Sequence, residues 1–375
     1  MDYLPTYGNS KWKTPNIDEL AKKGTVFTKH YTAAPSTVMS FYSMITGKYA
    51  HETNYEVYEK IHDVYQGETL FTRLRQLGYK SHIAWDEKWM ILPEYFDCYR
   101  DDVEIHILDN IRQGVGAHYI HDGFLEEDVD KKKETYNIVY RFVNEVLDTE
   151  EDTFLWIHFP HVLNGCISYG SDIELFDECI GAIRKLVSDE CIAVTADHGN
   201  MNGHKGKIGY GFHVYQPAVQ IPFITPKIDG RDTCDINTSS VDLYTILFEK
   251  KIDERDFIYS DSAYCAQQHR KLAILHDKYK YIYNKENGTE ELYDLEVDPT
   301  EEFSLIEDYI YDTERKVNAP SREMYYYADW DLLPQIRDRF RAEKSRIWKD
   351  GSIKGRVDRK IKKIIPAVYT KIRKK

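Results

Sequence analysis

The chain has 375 residues, 42% of them apolar, and a formal net charge of −13. It can bury a large core, as one big domain with an appendage or as two medium ones, and it is too apolar for a disordered chain. The acidic balance argues against general nucleic-acid binding, and no run reaches the roughly 18 apolar residues of a membrane span. The opening MDYLPTYGNSKWK has no apolar secretory segment, and the six cysteines form no CxxC pair. Both features favour reduced thiols and a cytoplasmic address.

In chain order, TPNIDELAKKGTVF predicts a helix capped by Thr14, with Pro15 in its first turn and an end at Gly24. TLFTRLRQLGY (69–79) predicts a second helix, and KSHIAW a strand after it. Residues 91–131 read as an irregular acidic insertion. KKKETYNIVYRFVNEVLD carries apolar pairs at helical spacing. TFLWIHF then reads as a buried strand, DIELFDECIGAIRKLV as a helix, CIAVTA and IPFIT as strands, and SVDLYTILFEK as a helix. Alternation of this kind calls for an α/β fold, a mostly parallel sheet sandwiched by helices. After residue 255 the pattern becomes apolar–polar alternation around KENG, an antiparallel hairpin. The expected organisation is a main domain over 1–255, a small α+β subdomain over 256–345, and a basic tail over 346–375.

That tail carries ten Lys/Arg and one Asp between Lys354 and Lys375, about +9, which leaves the body near −22. Its interleaved Val and Ile suit either peripheral contact with an anionic membrane surface or a terminal helix docked on the body.

Residues 195–213, TADHGNMNGHKGKIGYGFH, hold one aspartate, three histidines and repeated glycines directly after an apolar run. A carboxylate and an imidazole at the C-terminal end of a buried strand suggest a metal site at a sheet edge. A polar loop with incidental histidines is the alternative reading.

Four ordered stretches resemble the sulfatases and their relatives in the alkaline phosphatase superfamily. They are TPNIDELAKKGTVF, the segment STVMSFYSMITGK, TADHGN, and KYKYIYNKENGTEELYDLEVDPTEE. The resemblance covers most of residues 2–305 and implies an alkaline phosphatase-like fold acting on an anionic ester. Counting back from Thr46-Gly47, the family's nucleophile cysteine falls on Thr37, its proline on Met39, its serine on Ser40 and its arginine on Phe41. Threonine cannot become formylglycine in the usual way, so the resemblance shifts toward the phosphoethanolamine-transferase and lipoteichoic-acid-synthase branch. A hydroxyl there is activated when metal coordination lowers its pKa.

The same resemblance implies Asp197 and His198 as metal ligands together with Thr37, for a divalent metal such as Zn, Mn or Ca. His161, in WIHFPH, becomes a donor or general acid toward the transferred group. Lys88, His204, Lys207 and His213 become contacts to the substrate anion, each of which also reads as an ordinary surface residue. The family's first apolar strand with its acidic ligands has no counterpart here, which leads us to expect a start internal to a longer protein, or a degenerate site. An edge left by that strand would favour self-association of copies. Three functions follow: a phosphoester-hydrolysing or phosphoryl-transferring enzyme using Thr37 on a glycan or lipid headgroup, a sulfuric ester hydrolase, or a non-catalytic binding protein of the same fold.

Overall fold

The computed structural model describes residues 1–55, 64–85, 102–108, 129–159, 169–262, 270–306 and 332–348. Helix α1 (Pro15–Lys23) leads into strands β1 (Thr25–Phe27) and β2 (His30–Tyr31), then helices α2 (Thr37–Thr46) and α3 (Leu70–Gln76). Strands β3 (Lys80–Trp85) and β4 (Val103–Ile107), helix α4 (Val129–Leu147), strand β5 (Thr153–Ile157) and helix α5 (Tyr169–Ile183) follow. Next come β6 (Val194–Thr195), β7 (Phe223–Thr225), β8 (Thr233–Cys234), β9 (Thr238–Ser239) and α6 (Leu243–Phe248). Strands β10 (Ile258–Asp261), β11 (Lys271–His276), β12 (Tyr279–Asn284) and β13 (Glu290–Asp294) complete this part, and α7 (Leu333–Ile347) lies beyond it.

The fold is α/β, as the alternation predicts. Parallel pairing joins β4, β3 and β5 into one sheet, and also joins β1 to β8 and β2 to β9. Within the α/β part, β7 is the strand that departs from parallel pairing. It runs antiparallel to both neighbours, β1 and β6, in the four-stranded order β6-β7-β1-β8. Its two neighbours already run opposite to it, so each side offers the closely spaced antiparallel ladder. CIAVTA yields only a two-residue strand, because residues 189–191 form a 3-10 turn first.

Helix α1 begins as expected at Pro15, whose missing N–H costs nothing in a first turn. The cap is different. Thr14 makes no side-chain cap bond. Instead the N–H groups of Ile17 and Asn16 donate to the carboxylate of Asp177 on α5, at 2.8 and 3.2 Å. A residue 160 positions away thus satisfies the orphan donors. At the other end, a Cβ on Gly24 would collide with the Thr225 carbonyl oxygen, so only glycine lets the chain enter β1 beside β7.

Helix α2 is buried on every side, all ten residues from Thr37 to Thr46. It packs with Phe27, Leu70, Phe71, Leu74, Ile83 and Phe223 in the largest core cluster. Its polar residues are all small hydroxyls, of which Ser40 donates to the Asp197 carbonyl and Thr46 to the Tyr42 carbonyl, so the helix can sit in an interior. Burying Val38, Met39, Phe41, Met44 and Ile45 contributes roughly 1.5–3 kcal/mol each, so its position is strongly determined.

Contacts divide the chain into two compact units, Met1–Ser304 and Leu305–Lys375. The antiparallel sheet β10-β11-β12-β13 lies in the first unit. The KENG stretch links β12 to β13 as the alternation predicts, and a tighter turn at Asp277–Lys278 links β11 to β12. In the second unit, α7 buries Leu333 and Phe340. The first residues assigned to the basic tail, Arg346 and Ile347, end α7, and residues 349–375 fall outside the described residues. Among the described residues, no helix is long and apolar enough to cross a membrane.

Candidate active site

The site forms where the C-terminal ends of β5 and β6 meet the N-terminus of α2. Thr37 is the first residue of α2, after Ser36 in an extended N-cap conformation. Its Oγ1 lies 3.1 Å from Nε2 of His198. Nδ1 of that ring lies 2.8 Å from the carbonyl oxygen of Gly199. A carbonyl only accepts, so Nδ1 carries the proton and Nε2 keeps its lone pair toward Thr37. Asp197 lies beside it, Oδ2 at 3.4 Å from the same Nε2, and its Oδ1 accepts the N–H of His198 at 2.9 Å. Tyr210 stacks on His198 with ring centroids 4.5 Å apart.

The backbone is held from two directions. Ser40, one turn into α2, donates to the Asp197 carbonyl at 2.6 Å. Gly199 donates to the Ala218 carbonyl at 2.9 Å. A Cβ on Gly199 would collide with the Pro217 carbonyl oxygen, so this close approach requires glycine. Farther along, Gly211 donates to Pro35 at 2.6 Å and closes the loop back over the start of α2.

Asp197, His198 and Thr37, which the sequence nominates together, are therefore brought together. Their donor atoms suit a divalent cation: a carboxylate, an imidazole lone pair and a hydroxyl, with Asp197 Oδ2 3.4 Å and Thr37 Oγ1 3.1 Å from His198 Nε2. Ligands of a tetrahedral ion with bonds of about 2.0–2.1 Å are separated by about 3.3 Å, so these spacings fit.

The remaining nominated residues fare differently. His204 and Lys207 sit on the glycine-rich loop, half-buried, in a short turn in which Gly203 donates to Lys207 and Lys207 to His204. His213 is half-buried, and its pKa is pushed down to about 4 by burial and then by the charges of Lys271 and Lys207. Its Nδ1 has no hydrogen-bond partner among the described residues. The loop thus gathers cations around a neutral imidazole, a setting suited to an anion. Lys88 and His161 lie outside the described residues.

Sequence reasoning missed His158. It follows β5 directly, donates its N–H to Ala84, and packs its ring 5.2 Å from that of Phe41. Burial lowers its pKa; Asp197 opposes that shift and His198 adds to it. Its signal was the strand end of TFLWIHF, one residue past β5, much as Asp197 lies two residues past β6. Tyr210, whose pKa is raised by burial and by Asp197, carried no sequence signal among 30 tyrosines.

The family model described as Sulfatase matches residues 2–165. The uncharacterized sulfatase YidJ of Escherichia coli strain K12 is 24% identical over 196 residues, 45% of this chain and 38% of that protein. An ulvan-active sulfatase of Formosa agariphila is 32% identical over 107 residues, 24% of this chain and 20% of that protein. The matched part thus spans well under half the length of these curated relatives. Among solved structures, the phosphonate monoester hydrolase of Agrobacterium radiobacter superposes with a TM-score of 0.59 at 15% identity, covering 90% of this chain and 93% of that one. The PsFucS1 sulfatase of a Pseudoalteromonas species superposes at 0.55 and 16% identity, covering 82% and 83%.

Proposed function

We infer, for a chain that is a sulfatase-like member of the alkaline phosphatase superfamily, that Thr37 is the nucleophile of a divalent-metal-dependent enzyme cleaving a phosphate ester. The observation that carries the reading is the 3.1 Å contact of Thr37 Oγ1 with the lone pair of His198 Nε2 at the start of a fully buried helix. A nucleophile paired with an oriented base or ligand is the arrangement covalent catalysis needs.

The chain's own groups divide the work. Thr37 attacks phosphorus, the bond from phosphorus to the leaving oxygen breaks, and the phosphoryl group passes from Thr37 to water or an acceptor alcohol. His198 and Asp197 orient the threonine oxygen, with the tautomer of His198 set by Gly199. The N-terminus of α2, which has no side-chain cap, opens at Thr37 and would favour an anion there. Lys207 and His213 supply further donors for the anion's remaining oxygens. A divalent ion held by Asp197, His198 and Thr37 would lower the hydroxyl pKa and offset charge on the ester; Zn, Mn and Ca are each compatible with the donor set.

We place the substrate among phosphorylated glycans or lipid headgroups, with the basic tail favouring work near an anionic membrane face. A cytoplasmic, peripheral location goes with that reading. A second reading, sulfate-ester hydrolysis, draws on the relatives named as sulfatases. The test is turnover of an aryl phosphodiester and an aryl sulfate by the 375-residue chain with Mn²⁺ or Zn²⁺. Phosphodiester turnover that disappears in Thr37→Ala is expected. Turnover unchanged in that variant would overturn the assignment of Thr37, and turnover of the sulfate alone would favour the second reading.

A further inference from the structure

A second group of imidazoles lies where β3 meets the edge strand β4 of the parallel sheet, apart from Thr37. Strands β3 and β4 run parallel with His82 opposite Glu104 and Ala84 opposite His106. Side chains alternate along a strand and paired residues share a side, so His82, Glu104 and His106 project from one face. That face also carries Ala84, Leu155 and Ile157, packed with Val139, Phe142 and Val143 of α4. Ile83, Val103 and Ile105 project from the other face into the largest core cluster. Two histidines are an unusual choice for a face that α4 covers with apolar groups, because each polar group buried there must recover its lost hydration; Glu104 beside them stays exposed.

The three side chains converge. Nδ1 of His82 lies 2.9 Å from Nε2 of His106. Glu104 reaches both, Oε2 at 3.8 Å from His82 Nδ1 and Oε1 at 3.6 Å from His106 Nε2. Each residue thus offers one ligand atom within a small common volume. In a tetrahedral complex with bonds of about 2.0–2.1 Å, ligand atoms are about 3.3 Å apart; one nitrogen from each ring and one Glu104 oxygen, all within 4.8 Å of one another, reach that spacing with small side-chain rotations.

We propose that His82, Glu104 and His106 bind a zinc-like divalent cation that fastens strand β4 to β3, as a centre separate from Thr37, Asp197 and His198. Nitrogen and carboxylate donors suit Zn²⁺ above Mg²⁺ or Ca²⁺. Burial lowers the pKa of both imidazoles, which keeps them neutral and able to ligate at neutral pH. Glu104 is exposed and leaves a route from solvent, from which water would supply the fourth ligand. Lys80, which lies 3.4 Å from Glu104 Oε2, also reaches Glu151 at 3.7 Å, so its charge keeps a partner when Glu104 turns to the metal. No change of strand register is needed, because β3 and β4 already hold the ligands opposite one another.

The test isolates this centre by silencing the other. The 375-residue chain carrying Asp197→Ala and His198→Ala is stripped with chelator, supplied with Zn²⁺ alone, passed through gel filtration and assayed for zinc by mass spectrometry. About one zinc per chain is expected, with Co²⁺ in its place giving the intense visible absorption of a tetrahedral site. Adding His106→Gln is expected to remove that metal. Glu104→Gln, which changes an exposed side chain and leaves the fold intact, is expected to weaken zinc binding by at least about tenfold, as loss of a charged ligand does. Absence of zinc from the silenced chain, or equal zinc affinity in the Glu104→Gln variant, overturns the proposal.

Discussion

The loop from Asp197 to Gln216 and the sheet β10–β13 solve opposite problems within one unit. In the sheet, every residue of β10 pairs with β11 and every residue of β11 with β12, and short turns join β11 to β12 and β12 to β13. The loop follows a strand of two residues, and its shape depends on glycines, on a buried helix from elsewhere in the chain and on single hydrogen bonds to Pro35 and Ala218. A continuous ladder resists change. A strand that stops early leaves its carbonyl and side-chain ends for chemistry, and tertiary contacts must then hold them.

The sharpest separation of the two comes from Thr37→Ala. We expect it to lower phosphodiester kcat/KM on the order of 10³-fold or more while leaving the urea midpoint nearly unchanged, since the lost methyl and hydroxyl sit at a helix start. A midpoint shifted as far as that of a core variant would mean Thr37 is a packing residue.

The sheet should respond the other way, in stability first. Lys280 Nζ and Glu301 Oε1 are fully buried and 2.7 Å apart. Glu301→Ala leaves a buried ammonium uncompensated and is expected to cost about 3–5 kcal/mol in urea unfolding. Lys280→Met combined with Glu301→Leu should recover most of that loss; a double variant as unstable as the single one would show that the pair's hydrogen bonds to Gln216 dominate.

Acid should strain the core between them. His30 is fully buried, stacks 4.4 Å from Phe223, and has its pKa lowered by burial to about 3. In the unfolded chain it takes up a proton near its ordinary value of about 6.5. Stability is therefore complete above that value and falls as pH drops from about 6.5 toward 3, by up to about 1.4 kcal/mol per pH unit. His30→Gln should flatten the stability curve between pH 6.5 and 5, and an unchanged slope would assign the acid response to other groups.

The smallest effect tests the long-range cap. Asp177→Ala is expected to cost about 1–2 kcal/mol, the range of a lost N-cap. Thr14→Val should cost less, because the Thr14 hydroxyl accepts no cap bond.

Legibility followed distance along the chain. The 195–213 stretch, the boundaries of α1 and the KENG turn were readable because their determinants lie within a few residues of one another. Thr37 was readable only by counting from Thr46-Gly47 within the resemblance. The Asp177 cap was not, since its carboxylate arrives from another helix. β4 lay within a stretch read as irregular, although the alternation in VEIHI (103–107) carries a strand signal. The grouping of His82 with Glu104 and His106 required the register of two strands, which no local pattern contains. His158 went unnominated because its electrostatic coupling to Asp197 joins two strand ends far apart in the chain, which no local pattern contains.

The Lys280–Glu301 pair reaches further than the sheet that contains it. Glu301 Oε2 also accepts the N–H of Gln216 at 2.6 Å. Gln216 opens the short helical turn through Val219 whose Ala218 carbonyl accepts the Gly199 amide. One carboxylate thus links the deepest lysine of β12 to the residue that sets the tautomer of His198. In the language of native-state hydrogen exchange, the Gly199 amide should open together with β12 rather than with its own loop. Catalytic competence and the integrity of the antiparallel sheet should then be lost in a single cooperative step.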